Sequence, residues 1–200
     1  MQTVHNRVIS RVHGARGGQV MVPQQFADLG SSKAIERALA WMVKEGTIQR
    51  IARGVYYSPK THPELGILSP DPDKVAKAIA GKFASHLQPS GAYAANLLGL
   101  STQVPAKIVY FTEGPTKTVR IGKQQIELKH TTSRNMATAG RISGLIIQAF
   151  RYLGKKAIDE GTIQHLRKSL KEEDKKRLVR DARYAPAWIA EHMLTIARET

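Results

Sequence analysis

Residues 31–59 read SSKAIERALAWMVKEGTIQRIARGVYYSP, and no other stretch constrains the fold of this chain as tightly. Ser31 or Ser32 offers a hydroxyl to cap a helix. Ile35, Ala38, Leu39, Met42 and Val43 then recur at the 3.6-residue spacing of one buried helical face. Gly46 closes that helix. Two short β-prone runs follow, Ile48 to Ile51 and Val55 to Tyr57, rich in β-branched and aromatic residues. Arg53-Gly54 lies between them as a tight turn. Their alternation is imperfect, which predicts a bulge near Ile51-Ala52. Helix, strand, basic turn, strand is the layout of a winged helix.

The residues before this stretch agree with that layout. Val4, Val8, Ile9 and Val12 have helical spacing, with Thr3 placed as N-cap and Gly14 at the C-terminal end. Gln19 to Val22 is a short extended run. Pro23 suits the first turn of a second helix, Pro23 to Leu29, which Gly30 ends. After Tyr57 the chain carries Pro59, Pro63, Gly66, Pro70 and Pro72, a density of breakers that marks a domain boundary. The expected organisation is α+β. An N-terminal winged helix-turn-helix spans 1–60, a linker spans 61–72, and a mixed α/β C-terminal domain spans 73–200.

The second domain is expected to begin with a helix from about Asp73 to Leu87, broken by Gln88-Pro89-Ser90-Gly91. A short helix over Ala92 to Leu98 comes next. KIVYFT, from Lys107 to Thr112, is a strand candidate. Lys117–Ile121 and Gln125–Lys129 alternate around Gly122-Lys123 as a hairpin. Four helical segments follow, at about 142–153, 159–170, 172–184 and 186–197.

Charge narrows the class of partner. The 200 residues hold 31 Lys and Arg against 16 Asp and Glu, a net of +15. An excess of this size in a small protein points to a polyanion, most often nucleic acid. It is concentrated at the two ends: residues 1–60 and 131–200 each carry +6, and residues 61–130 carry +3. The absence of cysteine excludes disulfides, thiol catalysis and Cys-ligated zinc. No apolar run approaches the ~18 residues of a membrane span, and no apolar signal core stands among the N-terminal arginines. A cytoplasmic protein with no membrane partner is expected.

A winged helix reads duplex DNA by laying its third helix in the major groove. The positions that would face DNA here are Ser31, Ser32, Lys33, Glu36 and Arg37, with Ala40 and Lys44 further along. Ser31 and Ser32 sit where the helix's first N–H groups point outward and can hold a phosphate. Arg37 suits bidentate contact to a base. On the wing, Arg50 and Arg53 suit phosphate or the narrow minor groove, and Tyr56 can donate to a phosphate. Trp41 falls on the outer flank of the helix, where packing against the wing or the first helix would explain it.

No catalytic constellation competes with this reading. The seven histidines are scattered, with no pair at the i, i+4 spacing of a helical metal site. Gly114-Pro-Thr-Lys117-Thr118 lacks the glycine that precedes the lysine of a phosphate loop, and a hairpin follows it instead of a helix. There is no G-x-S-x-G elbow. No enzymatic activity, cofactor or metal is expected.

Two stretches carry a resemblance to a known family. VPQQFADLGSSKAIERALAWMVKEGTIQRIARGVYYSPK resembles the N-terminal winged helix of the AbiEi-type antitoxins, transcriptional regulators from bacterial toxin–antitoxin loci. SGAYAANLLGLSTQVPAKIVYFTEGPTKTVRIGKQQIELKH is similar to the antitoxin domain of that group. Together they span roughly residues 5 to 150, and the resemblance is weak over the last fifty. It implies an antitoxin of a type IV system. The N-terminal domain would bind operator DNA and repress its own operon, and the C-terminal domain would counter a nucleotidyltransferase-type toxin. The alternative is an adaptor that uses the winged helix on nucleic acid or protein without a toxin partner.

Within the second domain, Asn96, Ser101, Thr102 and Gln103 are polar residues in an apolar run. They either line a turn and satisfy backbone groups, or they form a contact surface for the toxin or its substrate. The late basic helices carry Lys168, Lys171 and Lys175 among others. They read either as a solvated face paired with Glu172, Glu173 and Asp174, or as a second nucleic-acid contact.

Overall fold

The computed structural model describes residues 3–15 and 17–198. The chain is mixed α and β and divides into two compact units. The first holds Met1–Ala84 with Val119–Lys123, and the second holds Ser85–Thr118 with Gln124–Thr200.

In the first unit, α1 (Val4–Gly14) starts where the Asn6 N–H donates to Thr3 Oγ1 at 3.3 Å. Strand β1 (Gln19–Met21) leads into a 3₁₀ helix, Pro23–Leu29, with proline at its first position. Helix α2 (Ser32–Lys44) is capped by Ser31, whose Oγ accepts from the Ala34 N–H at 3.4 Å. Strands β2 (Gln49–Ala52) and β3 (Val55–Ser58) complete a three-stranded antiparallel sheet in the order β1-β3-β2. The register shifts between Arg50 and Ala52, where the sequence predicts the bulge.

One core fills the space between these elements. Val8 and Val12 come from α1, Phe26 and Leu29 from the 3₁₀ helix, and Ile35, Ala38, Leu39 and Met42 from α2. Met21, Ile48 and Tyr56 close it from the sheet side. Each fully buried side chain of this size contributes about 1.5–3 kcal/mol.

The stretch expected as a linker, 61–72, is structured. It contributes to a second hairpin, β4 (Lys60–His62) with β5 (Gly66–Leu68). Tyr57 explains the order here: it lies on the face of β3 opposite Tyr56, is buried, and donates from Oη to the Leu68 carbonyl at 2.7 Å. Helix α3 (Pro72–Ala80) packs against β1 and β3 and buries Val75, Ala76, Ile79 and Ala80. It therefore covers the second face of the first unit's sheet, whereas the sequence expectation opened the C-terminal domain with it. The expected single helix to Leu87 ends at Ala80, and a 3₁₀ segment, Gly81–His86, continues from it.

A four-stranded sheet has the order β6-β7-β9-β8, with β6, β7 and β9 in the second unit. Its strands are β6 (Gln88–Ser90), β7 (Lys107–Thr112), β8 (Lys117–Ile121) and β9 (Gln124–His130). Gln88-Pro89-Ser90, expected only as a helix break, forms the short edge strand β6, antiparallel to β7. Proline is tolerated there because an edge strand leaves one side of its backbone unpaired. Strand β9 lies parallel to β7, with Ile108 beside Ile126 and Tyr110 beside Leu128, all four buried. The link 113–116 thus crosses the end of β9, where the His130 N–H donates to Thr116 Oγ1 at 3.1 Å.

Helices α4 (Gly91–Leu97), α5 (Ser133–Met136), α6 (Ile142–Leu153), α7 (Glu160–Ser169), α8 (Glu172–Asp181) and α9 (Ala187–Ala197) make up the rest. Helix α6 is central: Ile146, Ile147, Ala149 and Phe150 are buried, together with Leu166, Leu178, Ile189 and Met193 from α7, α8 and α9. Ala94 and Ala95 let α4 pack close to it. Gly144 has a steric reason: a Cβ there would collide with the Thr138 carbonyl and the Gln88 side chain.

Candidate functional site

The exposed side of α2 is set by its buried side. With Ile35, Ala38, Leu39 and Met42 turned inward, Lys33, Arg37, Ala40 and Lys44 fall along one outward stripe and are exposed. Ser31 and Ser32 begin the helix at the end of this stripe, and both are exposed. Arg53 stands exposed at the β2–β3 turn. Gly54 there has φ +71° while Arg53 stays at negative φ. The turn is therefore not type I′, which needs positive φ at both positions. Arg50 is the direct cross-strand partner of Tyr56, so it projects from the sheet face that packs on the core, exposed at the edge strand.

The electrostatics of this set differ from those of Arg11 in α1. Lys33, Arg37, Lys44, Arg50 and Arg53 have no ion-pair or hydrogen-bond partner among the described residues. Arg11 behaves otherwise: its two terminal nitrogens each donate to Asp28 at 2.7 Å. Hydrogen bonding to Arg11 holds the Asp28 carboxyl below its usual pKa, and the same bonds raise that of Arg11.

Tyr56 differs from the rest of the expected set: it is 6 % exposed and packs in the core with Met21, Leu39 and Met42, so its ring is a structural element. Trp41, 43 % exposed, stacks edge-on against His5 of α1 with ring centroids 4.9 Å apart. That is the packing against the first helix that the sequence left open.

In the second unit the Asn96 amide donates to the carbonyls of Ser101 (3.0 Å) and Gln103 (3.2 Å), and the Gln103 N–H donates to Ser101 Oγ (3.3 Å). These contacts show the turn-stabilising role. Thr102 and Gln103 remain exposed beside Val104. Lys168 is exposed in the last turn of α7, where a cation suits the helix dipole. Lys171 precedes α8 and is exposed. Lys175 is held by Glu172 at 2.6 Å with a side chain only 14 % exposed, so it belongs to an internal pair and not to a free basic surface.

A cleft of about 480 Å³ lies elsewhere in this unit, lined by Arg141, Arg177, Arg180, Asp181 and Arg183. Arg141 was missed by the sequence reading, since no local pattern links it to a residue forty positions away. Among the described residues, no group of three or more His, Asp or Glu could hold a metal ion, and no helix is long and apolar enough to cross a membrane.

A family profile matches residues 7–178, running through both units. The chain belongs to the DUF6088 family. That family is described as one of unknown function. A search of curated proteins returns no match to this chain. In this DUF6088 member, exposed positive charge gathers on the α2 stripe with its neighbouring hairpin and in the arginine-lined cleft.

Proposed function

We propose that the first unit is a winged helix that binds duplex operator DNA, and that the protein represses its own toxin–antitoxin operon. Helix α2 enters the major groove, and the β2–β3 hairpin, with Arg53 at its tip, lies on the adjoining backbone. The observation that carries this reading is the row Lys33, Arg37 and Lys44, with Arg50 and Arg53 on the hairpin. All five are exposed cations without an internal carboxylate. Charges left uncompensated by the protein are free to replace counterions on a phosphate backbone. The core beneath α2 fixes the backbone that presents Lys33, Arg37 and Lys44, so binding has to order only their side chains.

The second unit, on this reading, counters a nucleotidyltransferase-type toxin. The support is the sequence resemblance of residues 90–130 to AbiEi-type antitoxins. Both roles call for a cytoplasmic protein that holds its partners without catalysing a reaction, in keeping with a chain free of cysteine.

The test is binding to the DNA upstream of the gene, followed by fluorescence anisotropy across a salt series. Arg37→Ala should weaken binding by about 1–3 kcal/mol if it makes a bidentate base contact. Arg53→Ala should weaken it across all sequences and reduce the log–log salt slope by about 0.9. Parent-like binding by both variants would remove this face from consideration. Co-expression with the neighbouring gene product tests the antitoxin half separately.

A further inference from the structure

The cleft in the second unit has an unusual charge for its size. Four guanidinium groups and one carboxylate line it, for a net of +3. The one carboxylate is already committed: Asp181 is buried, accepts from Arg141 Nη1 at 3.0 Å, and accepts from Ser143 Oγ at 2.5 Å. That arrangement pins Arg141 at the start of α6 and spends the negative charge inside the protein. Arg177 stands 4.0 Å from Asp174, at the outer limit of an ion pair. Arg180 has no carboxylate partner among the described residues. Arg183 donates to Tyr184 Oη at 3.0 Å and lies over its ring, 4.9 Å from the centroid, which fixes the direction of its fork. Helical spacing places Arg177 and Arg180 on the same side of α8, and the 3₁₀ turn Ala182–Tyr184 brings Arg183 in behind them.

Like charges gathered round one concave volume repel one another and raise the local potential. A multivalent anion offsets both, and arginine forks match phosphate oxygens two at a time. From this we infer that the cleft binds the di- or triphosphate group of a small molecule. A single phosphate carries only about −2, less than the charge provided. The volume of about 480 Å³ falls within the roughly 300–1,000 Å³ of small-molecule sites and leaves room for more than one phosphate. Asp181 acts as a positioning residue through Arg141. The inference is independent of the DNA-binding reading, since it concerns different residues and a different ligand.

Isothermal titration calorimetry on the full chain, at near-physiological salt and without DNA, decides it. Inorganic pyrophosphate and ATP form the two arms and separate a free anion from a nucleotide. Saturable one-to-one binding in at least one arm is expected. Arg180→Ala and Arg183→Ala should each weaken it by about tenfold or more. Arg180→Lys should also weaken it, because the fork is lost while the charge stays. Lys168→Ala, outside the cleft, should bind like the parent. Circular dichroism melts verify folding, and Arg180→Lys serves if the alanine variant does not fold. Absence of saturable binding in both arms overturns the inference, as does binding that the cleft variants leave unchanged. If these arginines instead matter only to a short random-sequence duplex, the cleft is part of a nucleic-acid face and the small-molecule site is refuted.

Discussion

The contact between Arg11 and Asp28 shows what one residue pair contributes. Arg11 rises from α1 and forks onto Asp28 at the end of the 3₁₀ helix, while the Arg7 guanidinium donates to the Asp28 carbonyl at 3.3 Å. Both partners are well exposed, so solvent and salt screen the pair and its contribution is small. Its pH dependence is nevertheless defined. The Asp28 carboxyl is held below its usual pKa, first by hydrogen bonding to Arg11. A carboxyl lowered in the folded state stabilises at pH values above its unfolded pKa. That contribution is lost as pH falls through the folded one. Asp28→Asn should therefore melt below the parent at neutral pH, and the gap should close in acid. A gap that persists unchanged in acid would assign the effect to something other than the carboxylate. The pair was not legible in the sequence, because seventeen residues and a change of direction separate its members.

At the scale of elements, the sequence was most informative where local pattern and burial coincide. Helix α2, its Ser31 cap and the hairpin bulge follow from spacing alone, because each depends on near neighbours. Strand β6 was missed because Gln88-Pro89-Ser90 has turn composition, and only pairing with β7 makes it a strand. The parallel union of β7 with β9 was equally hidden: alternation reports that a strand has a buried face but not which strand lies beside it. Tyr56 and Tyr57 illustrate the same limit. Their neighbouring positions put them on opposite faces of β3: Tyr56 is covered by the core beneath α2, and Tyr57 lies on the far side that α3 closes. Gly144 is the element-scale counterpart. Inside α6, alanine would gain up to about 1 kcal/mol in helix propensity. Its Cβ would meet the Thr138 carbonyl and the Gln88 side chain, and overpacking against a well-packed core costs about 1–3 kcal/mol. Gly144→Ala should thus lower the melting temperature by a few degrees. An unchanged or higher melting temperature would mean that the loop at Thr138 gives way freely.

At the scale of the whole molecule, the position of α3 decides where the first unit ends. A fragment stopped at residue 60, where composition suggests a boundary, leaves Val55 and Tyr57 without the helix that packs on β3 and deprives Tyr57 Oη of the Leu68 carbonyl. Burying Val75 and Ile79 alone is worth about 3–6 kcal/mol before chain entropy is subtracted, comparable with the total stability of a small domain. A fragment of residues 1–84 should accordingly melt cooperatively, whereas 1–60 should show a weak, broad transition or none. The same pair tests the division of labour. If DNA binding resides in the first unit, as proposed, 1–84 should shift the upstream DNA with an affinity near that of the full chain, and if the proposed antitoxin role resides in the second unit, 1–84 should not protect cells from the neighbouring gene product. Protection by 1–84 would contradict the proposed assignment of the antitoxin role to the second unit. Tight, cooperative behaviour from 1–60 would make α3 dispensable and return the boundary to the proline-rich stretch.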